Sequence, residues 1–344
     1  MSRRPVAIPP GGFRRIAVLR LGSLGDVVLA LPVVHALRGA FPDARLDVWV
    51  KEEYGDVVRF DPAVTHVRAL EAEARRVEDL VSMSAELEDC DLIVDLHGVM
   101  RTRILTFRQK APVLRAPSYR LRRERWVRAR WTRPRPAPHA LERYAAALRP
   151  IGVAATGVPR MTAGPEAEAW AEQWLAAWGM GRPVALCPGA RHATKRWPED
   201  RWVELRASLR AQGHRIALLS LARERDALPR LAAATAADPG TRWCAEPLDR
   251  MAALLSRCRA AVTCDSGLMH VAAARGVRVV AMFGSTSPAF GFAPAGEGHV
   301  VLCRNEPCQP CSLHGRARCP QGHFRCMTGI TVEMVDVALR SLLA

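Results

Sequence analysis

Seven short apolar runs, each closed by turn residues, alternate along this 344-residue chain with stretches of helical periodicity. The runs are Ile16–Leu21, Leu46–Val50, Leu92–Leu96, Val184–Cys187, Ile216–Ser220, Ala261–Cys264 and Val277–Phe283. Between them lie helical patterns such as Asp26–Arg38, Asp200–Gln212, Glu224–Ala234 and Leu268–Arg275. Strands of this kind are buried on both faces, and alternation with helices reads as parallel sheets covered on both sides. The chain is too long for one hydrophobic core, so two domains are expected. The fold class is α/β, with two Rossmann-like halves and a cleft between them.

The alternation pauses at Leu148–Gly164, which holds Pro150, Gly152, Gly157, Pro159 and Gly164. It restarts with a helix opened by Pro165 and closed by Gly179, with Trp170, Trp174 and Trp178 on one face. Those tryptophans suit packing in a core or between domains better than a stacking platform. The expected division is 1–160, 161–330 with a cysteine-rich segment at 303–326, and 331–344. The last is a helix with apolar residues at 332, 334, 335, 338, 339 and 342, expected to cross back to the first half.

Composition excludes several classes. At 49% hydrophobic and 24% charged the chain is that of a globular protein, not a disordered one. No apolar run reaches the roughly 18 residues that span a bilayer. Residues 1–13 carry two arginines but are broken by Pro5, Pro9 and Pro10, unlike a signal peptide. A cytoplasmic location is expected, with the ten cysteines as thiols or metal ligands.

The net charge of +16 is concentrated. Residues 101–135 hold twelve arginines and one lysine against a single acid, Glu124. Such a patch implies an anionic partner: nucleic acid, a membrane face or a phosphorylated substrate. Trp126, Trp131 and Tyr119 stand among the arginines and could stack bases, yet no nucleic-acid module is visible.

The first apolar run leads into Arg20-Leu-Gly-Ser-Leu-Gly-Asp26-Val-Val-Leu-Ala-Leu-Pro32. Gly22 and Gly25 let the backbone turn tightly and approach a ligand. Asp26 follows the carboxyl end of a strand, where open α/β sheets bind ligands. Two roles stay open for it at this level: a catalytic carboxylate, or an acid that caps a helix.

The second half has two turns of phosphate-binding type. One is Cys187-Pro188-Gly189-Ala190, followed by Lys195-Arg196-Trp197-Pro198; the other is Asp265-Ser266-Gly267-Leu268-Met269-His270 at a helix start. Free amides there form an anion site, and Lys195 adds a full charge on a flexible stem. Either turn alone suits mere capping; the pair favours a diphosphate across the strand ends.

Together, Gly22–Pro32, the Pro-Gly-Ala turn with its Lys-Arg-Trp-Pro string and Asp265–His270 resemble the signature of the ADP-heptose:lipopolysaccharide heptosyltransferases, glycosyltransferase family nine. The resemblance covers roughly residues 14–343 and is nearer the heptosyltransferase II type. It implies a GT-B fold, two Rossmann-like domains facing across a central cleft, and inverting transfer from ADP-heptose. Asp26 is then the general base, and Lys195 with the amides of Ser266, Gly267 and Leu268 steadies the departing ADP without a divalent metal. Gly189 and Ala190 line the nucleotide-sugar site, Asp265 and His270 meet sugar hydroxyls, and Glu224 binds the ribose. His270 is equally suited to a packed helix position. On the acceptor side stand Gly25, His97, Arg101 and Arg103, with arginine forks suited to the carboxylates and phosphates of the lipopolysaccharide core and Kdo-lipid A. The basic segment would also attract an anionic membrane surface. No nucleic acid is expected; a relative using another nucleotide sugar or acceptor is the alternative enzyme.

Cys308-x₂-Cys311-x₇-Cys319-x₆-Cys326 has the look of a tetrathiolate zinc knuckle, with Cys303, His314 and His323 nearby. Free thiols or a redox disulfide stay open beside structural zinc. Four thiolates would leave no open position for a catalytic metal.

Overall fold

The computed structural model describes residues 5–70, 77–129, 136–179 and 181–344. It contains two wholly parallel sheets in two compact units. The first sheet comprises β1 (Arg15–Leu19), β2 (Arg45–Lys51), β3 (His66–Leu70), β4 (Leu92–Asp95) and β5 (Val113–Arg115), in the order β3-β2-β1-β4-β5. The second comprises β6 (Val184–Cys187), β7 (Ile216–Leu219), β8 (Thr241–Cys244), β9 (Ala261–Cys264), β10 (Val279–Phe283) and β11 (Val300–Cys303), in the order β11-β10-β9-β6-β7-β8. Chain direction across each sheet reverses once, between β1 and β4 and between β6 and β9. Open parallel sheets bind ligands outside the strand ends at such a reversal.

Prolines cut two of the expected helices. The pattern at Asp26–Arg38 folds as Leu24–Val28 and Leu31–Ala40, because Pro32 has no N–H to continue the first ladder and instead opens the second. Pro229 likewise divides Ala222–Asp226 from Pro229–Ala236.

The first unit contains residues 1–118 and 138–162, and the second 119–137 and 163–344. This corrects two expectations. Residues 119–129 and Ala137, expected with the first half, pack with the second, through anchors described below. The final helix, Val332–Leu343, expected to cross back to the first half, belongs to the second unit's core: Val335, Leu339 and Leu342 are buried beside Trp202, Leu205 and Leu209. Its start is capped by Thr331, whose hydroxyl accepts from Met334 N at 3.2 Å. Trp178 is a core residue, its indole donating to Pro239 O at 2.7 Å, with Trp174 edge-on at 5.2 Å. Residues 130–135, including Trp131, lie outside the described residues. Among the described residues no helix is long and apolar enough to cross a membrane.

Candidate active site

In the first unit the site is built at the carboxyl end of β1. Gly22 has φ +154°, and a Cβ there would lie 2.7 Å from the Tyr54 ring, so glycine is required at this bend. The chain then enters the helix Leu24–Val28 with Asp26 in its first turn. Ser23 donates to Asp26 Oδ2 from its backbone N at 3.1 Å and from its hydroxyl at 2.8 Å. Asp26 Oδ1 pairs with Arg20 Nη2 at 2.6 Å and accepts from the Tyr144 hydroxyl at 2.8 Å. The two roles that local sequence left open for Asp26 therefore meet in one geometry: it caps its helix, and it is a half-buried, ion-paired carboxylate.

Burial alone would raise the Asp26 pKa. Arg20, with hydrogen bonds from Ser23, Tyr144 and Arg20, outweighs that and holds the carboxyl well below the usual range. A carboxylate offers about four acceptor positions, and four donors fill them here. An incoming hydroxyl must displace one, and the freely rotating Ser23 hydroxyl is the donor most easily turned aside.

The end of β4 supplies the neighbouring wall. Asp95 is fully buried; its Oδ1 accepts from His97 N at 3.0 Å and Gly98 N at 2.8 Å, and its Oδ2 from Arg115 Nε at 3.2 Å. His97 is pulled down to about 3, by burial first and then by Arg20, so its imidazole is neutral near pH 7. Its Nδ1 is buried without a hydrogen-bond partner among the described residues. Arg101 adds to the positive field there, while Arg103 is exposed on the same short helix, Met100–Leu105. Gly25 is buried beneath Asp26, its carbonyl accepting from Leu29 N.

In the second unit the ends of β6 and β9 gather the other candidates. Lys195 Nζ pairs with Asp265 Oδ2 at 2.8 Å, and the Thr286 hydroxyl donates to the same oxygen at 2.6 Å. Ser266 is the N-cap of the helix Gly267–Ala274, and its buried hydroxyl has no partner among the described residues. The first-turn amides of such a helix have no carbonyl partner within it, so an anion is the complementary ligand. His270 is buried on that helix. At the other turn Glu224 lies flat against Gly189: a Cβ on Gly189 would sit 2.2 Å from Glu224 Oε2. Glu224 also accepts from Leu221 N at 3.0 Å, capping its own helix. Ala190 is fixed by Arg196 Nε donating to its carbonyl at 2.7 Å.

The cysteine segment braces this second cluster. Gln309 Nε2 donates to Phe283 O at 3.2 Å and Thr286 O at 3.0 Å, and Cys311 N donates to Ser285 O at 3.0 Å. Ser285 in turn shares a 2.8 Å hydroxyl contact with Thr194, beside Lys195. Cys308 Sγ lies 3.7 Å from His323 Nε2, and no disulfide joins Cys308, Cys311, Cys319 and Cys326. They lie near enough to interact: burial, then Cys311, Cys308 and Cys319, push Cys326 up to about 12. Among the described residues no three His, Cys, Asp or Glu side chains are gathered as a metal ion requires.

Arg20, Tyr144, Thr286 and Gln309 were not among the sequence candidates. Arg20 stood inside the glycine-turn motif with its charge unused; Tyr144 lies 118 residues from Asp26 and carries no local signal.

Residues 81–318 match the family described as Glycosyltransferase family 9 (heptosyltransferase). Lipopolysaccharide heptosyltransferase 1 of Pseudomonas aeruginosa is 30% identical over 327 residues, 86% of each protein. Lipopolysaccharide heptosyltransferase 2 of Escherichia coli is 37% identical over 113 residues, 31% of this chain and 32% of that protein. Among solved structures, a family 9 glycosyltransferase of Veillonella parvula superposes with a TM-score of 0.80, covering 96% of this chain and 97% of that one at 22% identity. Heptosyltransferase II of E. coli superposes with a TM-score of 0.71 at 21% identity, covering 96% and 98%. The two parallel sheets, each with its site at the strand-order reversal, are thus the GT-B fold, and the chain belongs to glycosyltransferase family 9, the heptosyltransferases.

Proposed function

We propose that this glycosyltransferase moves heptose from ADP-heptose to the inner core of lipopolysaccharide, with inversion at the anomeric carbon. The observation that carries the reading is Asp26, an ionised carboxylate fixed by four donors at the reversal point of the first sheet. Asp26 accepts the proton of the acceptor hydroxyl as that oxygen bonds to the anomeric carbon. Its low basicity places the transfer late, when the hydroxyl has become acidic through C–O bond formation. Positioned proton removal contributes on the order of 10²–10⁴ in rate. His97, Arg101 and Arg103 hold the acceptor. Neutral His97 offers a ring nitrogen to a sugar hydroxyl without adding repulsion to the arginines.

The leaving ADP is held in the second unit. Lys195 and the amides of Ser266, Gly267 and Leu268 oppose the charge that grows on the diphosphate, and such fixed groups act most strongly away from bulk water. Asp265, steadied by Thr286, orients Lys195 and meets a sugar hydroxyl; Glu224, against Gly189, binds the ribose. The transfer itself uses no metal in this mechanism. Structural zinc on the four cysteines rests on their sequence spacing, and stoichiometric metal in protein purified without a histidine tag tests it. The enzyme works at the cytoplasmic, anionic face of a membrane that carries its acceptor.

An assay with ADP-heptose and a truncated heptosyl-Kdo lipid A acceptor tests the reading. Asp26→Ala should lose at least a hundredfold in kcat; activity matching the parent would refute the assignment.

A further inference from the structure

The arginine-rich helix Arg120–Arg128 and the loop that follows the first cysteine pair border an open surface pocket of about 320 Å³ within the second unit. Arg128 projects from the helix side and Arg316 from the loop side, with Val127 and Leu313 as apolar lining. Neither guanidinium has a hydrogen-bond or ion-pair partner among the described residues. Glu124 also faces the pocket; it is paired with Arg120 at 2.7 Å and lies in the field of Arg128 as well.

Both walls are fixed. Arg123 lies 5.3 Å over the Phe292 ring, Trp126 meets Phe290 edge-on at 5.7 Å, and Ala137 N donates to Ala289 O at 3.0 Å. On the loop side Ser312 Oγ accepts from Gly315 N at 2.8 Å, and Arg316 N donates to Thr194 Oγ1 at 2.7 Å. Gly315 has φ +107°, and a Cβ there would lie 2.5 Å from His192 Cβ, so the loop can pass this closely only as glycine. Like charges held by rigid elements around one small pocket repel unless an anion joins them, and arginine forks match phosphate and carboxylate geometry. A volume near the lower limit of ligand sites suits one such group rather than a nucleotide.

We propose that this pocket is a second anion site, which binds a phosphate or carboxylate group while ADP occupies the cluster at Lys195. The group comes either from the acceptor glycolipid or from free phosphate; the acceptor source rests on the function proposed above. The site gives the chain's most concentrated positive charge a ligand.

Calorimetric titration of inorganic phosphate into ADP-saturated protein tests the site directly. One phosphate should bind per chain, weakened about tenfold or more in Arg128→Gln and in Arg316→Gln, the range of a charge-assisted hydrogen bond. Arg128→Lys should recover part of the binding. Steady-state assays with phosphorylated and dephosphorylated acceptor then separate the sources. A rise in KM of about tenfold for the phosphorylated acceptor alone, with kcat little changed, assigns the acceptor; phosphate binding with unchanged KM assigns the free anion. Equal phosphate binding by wild type and the double variant would overturn the site. If wild type transfers no heptose, the proposed function falls, while the phosphate titration still judges the pocket.

Discussion

The hydroxyl of Tyr144 and the carboxylate of Asp26 share a 2.8 Å hydrogen bond across 118 residues of sequence. Tyr144 is buried, and burial foremost keeps its phenol protonated well above the usual range, so it is a donor to Asp26 at every working pH. Its hydrogen bond favours the ionised carboxylate and so lowers the Asp26 pKa. Tyr144→Phe removes that donor and leaves the ring in place. The acid limb of the kcat/KM profile should move to higher pH, and kcat should fall about tenfold, the lower end of the range for a hydrogen bond to a charged group. A profile that keeps its shape while activity falls would reduce Tyr144 to a packing role.

Arg20 acts on the same oxygen with a full charge at 2.6 Å. Removing one partner of a buried pair leaves the other charge uncompensated, which costs about 3–5 kcal/mol. Arg20→Gln should therefore lower the denaturant midpoint as well as shift the acid limb further than Tyr144→Phe does. Circular dichroism melts alongside the rate profile separate the two effects.

At the other turn, Gly189 and Glu224 are coupled by contact. Because a Cβ on Gly189 would collide with the Glu224 carboxylate, Gly189→Ala should displace it. Gly189→Ala and Glu224→Ala should then each raise the donor KM by a similar factor. The double variant should be little worse than either, since residues in contact are not additive. Fully multiplicative effects in this cycle would mean that the two residues act separately on the donor.

The same logic of local against distant partners explains what could be read from the sequence. The seven apolar runs seen there are β1, β2, β4, β6, β7, β9 and β10, all of them interior strands. β3, β5, β8 and β11 are not among those runs, and all four are sheet edges. An edge strand needs less apolar surface, and His66-Val-Arg-Ala-Leu or Thr241-Arg-Trp-Cys mixes charge into its short length. The site divides similarly. Asp26, Lys195 and Asp265 stand in turns that follow interior strands, so glycine spacing pointed to them. Tyr144 and Thr286 reach the carboxylates from other elements, and only the folded chain brings them there. The arginine helix gives no local sign of its unit, because its anchors, Phe290 and Phe292, lie more than 160 residues further on.

His97 gives the first unit a pH dependence. Its folded pKa, near 3, is below the ordinary 6.5, so between those values the unfolded chain holds the extra proton. Acidification through that window favours unfolding, with a slope approaching 1.4 kcal/mol per pH unit, and above about pH 6.5 the contribution is complete. Asp26 adds its own loss only below about pH 4, as its carboxyl protonates. His97→Gln should thus flatten the fall in the denaturant midpoint between pH 6.5 and 5. Parallel curves for variant and parent would sink this account.

The final helix makes a prediction that distinguishes its observed packing from a crossing role. Leu339 is fully buried among Trp202, Leu205 and Leu209 of the second unit. Leu339→Ala should cost about 2–5 kcal/mol, the range for a large-to-small core change that leaves a cavity. Because the proposed ADP cluster belongs to the same unit, nucleotide should restore much of the loss. A ligand at a hundred times its Kd stabilises the state that binds it by about 2.7 kcal/mol. Thermal melts of the variant with and without saturating ADP measure this. A destabilised transition that ADP leaves unmoved would show that helix and nucleotide site do not share one folding unit.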